Sequence, residues 1–344
     1  MKKSTKIVLS ICTVLLIAGL WFGWTIYKKI YSPNIYVKDC KYLYIRDNAN
    51  SNEVLDSIYA NFCVENPQML ELVMTLKHYN GKVKPGRYRI EDGMSNNALV
   101  NMLRAGNQDP VNLSFNNIRS VKQLCAKVAK QIDIDSSYLL DIISDEAITS
   151  KYGFTPQNII AMFIPDTYQF YWNTSAEKFL DKMYFYYKQF WTEDRLAKAR
   201  KINLTPLEVS TLASIVQSEQ AAHREEQPTI AGLYLNRLRI GMPLQSCPTL
   251  IYAIGDFTIK RVTGAMLDIE SPYNTYKNTG LPPSPIGFPE KGAIDAVLNY
   301  ESNEYLYMCA KSDFSGYHHF SRSYEEQKHW AREFQRQLDK QGVK

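Results

Sequence analysis

The sequence predicts an α+β protein in which a single N-terminal transmembrane helix precedes a small α+β module and a larger α+β domain. Three observations carry this. An uncharged apolar run opens the chain, short strand-like and helix-like segments alternate up to about residue 150, and after Tyr152 the chain is richer in aromatics and in capped helical stretches. With 344 residues, 45% hydrophobic and 12% aromatic, the chain has the composition of a packed globular protein. The net charge of +5 is mild. Lys2, Lys3 and Lys6 supply three of those charges, leaving about +2 on the rest and no electrostatic case for a nucleic-acid partner.

The run from Ile7 to Tyr27 holds about 21 uncharged residues, the length a helix needs to cross a bilayer. It ends in Trp21, Phe22, Trp24 and Tyr27, which suit an interfacial belt, and it lacks the small-residue cleavage site of a signal peptide. Lys2, Lys3 and Lys6 favour an N-terminus kept inside, although Lys28 and Lys29 oppose it. Residues 1–6 are read as a cytoplasmic tail, 7–27 as the transmembrane helix, 28–40 as a linker, and all that follows as lying on the outer face.

Beyond the linker, Tyr42 to Arg46 alternates as a strand does, and Glu53 to Cys63 and Gln68 to His78 have helical spacing. A strand is expected around Gly86 to Ile90, a helix over Asn96 to Ala105 closed by Gly106, and a strand over Val111 to Phe115. Helices over Val121 to Gln131 and Tyr138 to Ser144 follow. This divides the outer chain into a module at 41–110, a connecting α+β segment at 111–150, and a domain at 151–344. In the domain, one long aromatic helix is expected from Ala176 to about Arg200. Thr205-Pro206-Leu207-Glu208 has the form of a capping box with proline in the first turn, so a helix should run from there to Glu219.

That helix presents Leu212, Ile215 and Val216 on one face, with Glu219 one turn further on. A carboxyl among apolar side chains is held toward its protonated form, as a general acid requires. Equally, Glu219 could turn to solvent or pair with His223 or Arg224. Of the six cysteines, Cys12 falls in the apolar run; Cys40, Cys63, Cys125, Cys247 and Cys309 have no zinc-like spacing and are read as free thiols ahead of disulfides. His318 and His319 lack further ligands at metal spacing, and no phosphate loop or Gly-x-Ser-x-Gly motif is present, so neither a metal nor a cofactor is expected.

Several blocks carry a family resemblance. Leu212 to Glu219 (LASIVQSE) resembles the catalytic-helix signature of the YceG-like family of endolytic murein transglycosylases, the MltG group. Ala231 to Leu244 (AGLYLNRLRIGMPL), Gln245 to Tyr252 (QSCPTLIY), Ser271 to Pro283 (SPYNTYKNTGLPP) and Gly316 to Ser321 (GYHHFS) resemble that family's further blocks, in its order. Lys82 to Ile90 with the following helix is similar to the LysM-like module that precedes the YceG-like catalytic domain. The chain departs from the family at Gln217, often a second Glu, at Cys247, often acidic, and at Glu326-Gln327-Lys328, usually Glu-His-Asn.

The resemblance implies a lytic transglycosylase, a carbon–oxygen lyase that cleaves the β-1,4 bond between N-acetylmuramic acid and N-acetylglucosamine within nascent peptidoglycan and leaves 1,6-anhydro ends. In that reading Glu219 is general acid and then base, and Asn236, Arg237, Gln245, Asn274 and Tyr276 hold the sugar. The implied partners are peptidoglycan strands, the inner (cytoplasmic) membrane and peptidoglycan synthases. A catalytically silent scaffold that recruits such synthases is the alternative. Hydrolysis would need a second carboxylate, for which Asp166 and Asp268 are the nearest by motif position.

Overall fold

A computed structural model describes residues 3–259, 262 and 264–340. The expectations placed on the tail at residues 1–6 and on the last four residues of the domain fall outside the described residues and side chains. The chain forms two compact units. One comprises residues 1–112 with 131–133 and 169–174, and the other takes 113–130, 134–168 and 175–344.

The first unit begins with helix α1 (Lys3–Tyr31), whose stretch Ile7–Tyr31 is long and apolar enough to cross a membrane. Most of its apolar side chains are not covered by protein: Leu15 and Trp21 are 66% and 69% exposed, while Ile30 packs against the core of the unit. Strand β1 (Pro33–Val37) follows at once, inside the stretch read as a linker. It is the middle strand of an antiparallel sheet with β3 (Phe62–Val64) and β5 (Met94–Ser95). A second antiparallel pair joins β2 (Tyr42–Ile45) to β4 (Gly86–Arg89).

Helices α2 (Ser51–Asn61), α3 (Pro67–Leu76) and α4 (Asn96–Ala105) pack their apolar faces onto these strands around Ile35, Leu43, Val73, Tyr88 and Leu99. Helices α2 and α3 start two residues and one residue earlier than the apolar spacing implies, because Asn50 and Asn66 cap them through their side chains. Gly106 closes α4 with a left-handed φ of 73°, which glycine adopts without steric cost.

Strand β6 (Val111–Phe115) pairs with β7 (Asp166–Phe170). Between them lie α5 (Val121–Ala129), α6 (Ser136–Ser144) and the single turn α7 (Glu146–Thr149). The expected single aromatic helix is two: α8 (Ala176–Phe190) and α9 (Glu193–Lys201). Thr192 is extended and caps α9 by accepting from Arg195 N, and Arg195 in turn forms a forked ion pair with Asp295 at 2.9 and 3.0 Å. A helix continued through Thr192 could not make that pair and cap together.

Helix α10 (Pro206–Glu219) is the centre of the second unit. Its start matches the sequence: Thr205 Oγ1 accepts from Glu208 N, Glu208 Oε2 accepts from Thr205 N at 2.7 Å, and Pro206 occupies the first turn. Every residue from Val209 to Val216 is buried, so α10 is a core helix enclosed on all sides and not one with a single apolar stripe. It packs against α11 (Gln227–Arg239), α12 (Cys247–Ile254) and α13 (Lys291–Leu298). The polar groups this buries are satisfied locally. Ser210 and Thr211 donate to the backbone four residues back, and Ser214 Oγ accepts from Ile286 N. The hairpin of β8 (Tyr307–Ala310) and β9 (His318–Ser321), backed by α14 (Tyr324–Lys340), completes the unit.

Candidate active site

Glu219 is the last residue of α10, where the helix leaves the core. It is half-buried and lines a cavity of about 240 Å³ together with Tyr234, Arg237, Gln245, Tyr276 and His318. Tyr234 and Arg237, three residues apart, share a face of α11. Gln245 and Ser246 precede α12, Tyr276 comes from the 271–283 loop, and His318 opens β9.

Two hydroxyls hold the Glu219 carboxyl by one oxygen. Tyr234 OH donates to Oε1 at 2.8 Å and Ser246 Oγ donates to the same atom at 2.5 Å. Among the described residues nothing bonds Oε2. Burial pushes the Glu219 pKa above its ordinary value, while the bonds from Ser246 and Tyr234 and the nearby His318 and Arg237 pull the other way and lose. The carboxyl-end carbonyls of α10 also disfavour an anion there. Tyr234 is fully enclosed, and burial followed by the Glu219 charge lifts its pKa well above normal, so it remains a donor. The result is a carboxyl biased toward protonation, pinned at Oε1 and open at Oε2.

The residues read from sequence separate into two sets. Arg237, Gln245 and Tyr276 join Glu219 in the cavity. Arg237 is also a structural tie: Nε donates to Leu306 O at 2.6 Å and Nη1 to Leu244 O at 2.7 Å. Tyr276 OH lies 3.1 Å from Cys247 Sγ. Asn236 and Asn274 do not line the cavity. Asn236 Nδ2 donates to Asn303 O and Tyr305 O, and its Oδ1 accepts from Arg239. Asn274, fully buried, donates to Leu267 O and Ile269 O and accepts from Tyr276 N, fixing the loop from within. Both Nδ2 groups are thus engaged by backbone carbonyls away from the cavity.

Gln217 Oε1 accepts from Glu290 N at 2.7 Å and so ties α10 to the start of α13. Asp166 pairs with Lys291, and neither it nor Asp268 lines the cavity. Glu219 is the sole carboxylate there among the described residues. Tyr234 and Ser246 carry no signal in the sequence that marks them for the site, and His318 draws notice there only as a possible metal ligand. A buried phenol reads as core, and the serine stands in a block whose neighbour Gln245 drew the attention.

A larger cavity of about 430 Å³ runs along Gln217, Ser218, Phe257 and Phe288, with Arg119 at its edge. Among the described residues it is lined by no carboxyl, thiol or imidazole. All six cysteines are free thiols, Cys247 at the cavity among them. No group of three or more metal-ligating side chains is assembled among the described residues.

Comparison with known proteins gives a consistent set of relatives. The sequence profile of the YceG-like family matches residues 43–333. The endolytic murein transglycosylase of Bacillus subtilis is 27% identical over 243 residues, 66% of this chain and 67% of that protein. Its namesake in Streptococcus pneumoniae is 26% identical over 336 residues, covering 86% of this chain and 59% of the longer relative. This chain thus spans about three-fifths of the streptococcal protein. The crystal structure of a yceG-like protein from Listeria monocytogenes superposes with a TM-score of 0.55 at 22% identity, covering 87% of this chain and 99% of that one, and so shares the fold.

Proposed function

The chain belongs to the YceG-like family, and we propose that it is a membrane-anchored endolytic peptidoglycan transglycosylase with Glu219 as its acid and base. The observation that carries the proposal is the state of that carboxyl: pKa raised, Oε1 held by Tyr234 and Ser246, Oε2 facing no protein partner. Proton donation is the one task such a group is fitted for.

In the reaction, protonated Oε2 gives its proton to the oxygen linking muramoyl C1 to the next sugar. The C1–O bond breaks and the leaving strand departs with a new hydroxyl. The muramoyl C6 hydroxyl then bonds to C1 through its oxygen and returns its proton to the Glu219 carboxylate. Atoms and protons balance, and the enzyme ends as it began. No water enters, which is why one carboxyl serves where ordinary glycosidases need two, about 5 to 9.5 Å apart. That Glu219 is the sole carboxyl lining the cavity among the described residues supports this route over hydrolysis.

Arg237, Gln245 and Tyr276 supply the polar wall that meets the sugar, with Arg237 suited to the lactyl and peptide carboxylates. Helix α1 anchors the chain in the cytoplasmic membrane with its N-terminus inside, and residues 41–110 form a LysM-like module. Work on nascent strands there brings peptidoglycan synthases within reach as partners. No cofactor is required. Mass analysis of uncrosslinked strands after incubation with the full chain tests the proposal. Anhydro-muramoyl ends support it, new reducing ends point to hydrolysis, and retained but intact glycan indicates a scaffold.

A further inference from the structure

His318 shares the Glu219 cavity, and its place there is fixed by a second carboxylate that the reaction above leaves unused. Glu226, in the turn before α11, is buried at 9% exposure and grips His318 at two points. Oε1 accepts from His318 N at 3.0 Å and Oε2 meets His318 Nδ1 at 2.9 Å. Gln220, the residue after Glu219, donates to the same Oε2 at 2.9 Å and to Gly316 O at 2.9 Å, and its Oε1 accepts from His223 N. Gln227 Nε2 closes the brace on Gln220 O.

The chemistry of this grip decides the histidine's tautomer. Burial alone would raise the Glu226 pKa, but the His318 N–H, the His318 ring and the Gln220 amide outweigh it and hold the carboxyl below its ordinary value. An ionised Glu226 can only accept, so Nδ1 carries hydrogen and the neutral ring has its lone pair on Nε2. With Nδ1 engaged by Glu226, Nε2 is the edge left for the cavity that His318 shares with Glu219.

We infer that His318 Nε2 is a substrate-binding acceptor in this site, taking a hydrogen bond from an N–H or O–H of the muramoyl unit, with Glu226 as the positioning residue that fixes its tautomer. The inference rests on the transglycosylase reading. It assigns the histidine no proton-transfer step; it orients the ring on which Glu219 acts.

The test uses the full chain in detergent with uncrosslinked strands. His318→Asn places an amide N–H where Nδ1 stood, preserving the bond to Glu226 while deleting Nε2. The expected result is a melting temperature like that of the parent protein and a loss of about tenfold or more in kcat/KM, the scale for one lost substrate hydrogen bond. Unchanged kcat/KM in the folded variant overturns the inference. Should the Asn variant fail to fold, His318→Gly with added imidazole decides: restored turnover supports the acceptor role, and a folded variant that imidazole does not restore overturns it. A parent protein that makes no anhydro ends removes the reading beneath, which a normal parent with an unaffected variant does not.

Discussion

Tyr234 and Glu219, fifteen residues apart on successive helices, meet through a 2.8 Å hydrogen bond from the phenol to carboxyl oxygen Oε1. The bond favours the carboxylate, against a burial effect that favours the acid and prevails. Tyr234 thus sets how far the acid is biased as well as where it points.

Tyr234→Phe removes that bond and keeps the ring. With one restraint on the anion gone, the Glu219 pKa rises further. Activity requires protonated Glu219 and falls as pH climbs through its pKa. The alkaline limb of the kcat/KM profile should therefore move to higher pH, with a rate loss of about tenfold from the freed carboxyl geometry. A profile measured across neutral pH checks both.

Glu219 and Glu226 act oppositely on stability. Glu219, with its folded pKa raised, contributes stability that is fully present below its unfolded pKa of about 4.3 and is lost as pH rises through the folded value. Glu226, with its folded pKa lowered, contributes stability present above about 4.3 and lost as pH falls through the folded value. Glu219→Gln, which mimics the protonated form, should therefore melt higher than the parent protein at alkaline pH and alike at pH about 4. Thermal scans at the two pH values check the sign.

Much of this architecture was legible because it is local. The capping box at Thr205 and Glu208, the α4 bounds with Gly106, and the position of Glu219 beyond an apolar helix all follow from spacing. What the spacing could not reveal was long-range. Asn236 finds its partners at Asn303 and Tyr305, 67 and 69 residues away, and a sequence read locally cannot distinguish an amide so consumed from one free to hold sugar. The Glu226–His318 grip spans 92 residues for the same reason. The break at Thr192 had a local signal, a threonine followed by Glu193 and Asp194, which the continuous aromatic pattern masked.

Gly232 marks a close approach. A Cβ there would sit 2.3 Å from Glu301 O and 2.5 Å from Asn303 Nδ2, in the loop that Glu301 N ties to Pro228 O and Asn236 holds by side chain. Gly232→Ala must push that backbone off α11, the helix that carries Tyr234 and Arg237. A loss of about 1–3 kcal/mol, read by denaturant unfolding, is expected, together with reduced activity.

The most direct measurement compares parent protein and Glu219→Gln, full chain, on uncrosslinked peptidoglycan strands, counting 1,6-anhydro-muramoyl ends by mass. Gln keeps an oxygen for Tyr234 and Ser246 and cannot supply the proton. Abundant anhydro ends are expected from the parent, and a fall of about 10²- to 10⁴-fold in the folded variant. Equal yields from both would contradict that expectation and remove Glu219 from the chemistry.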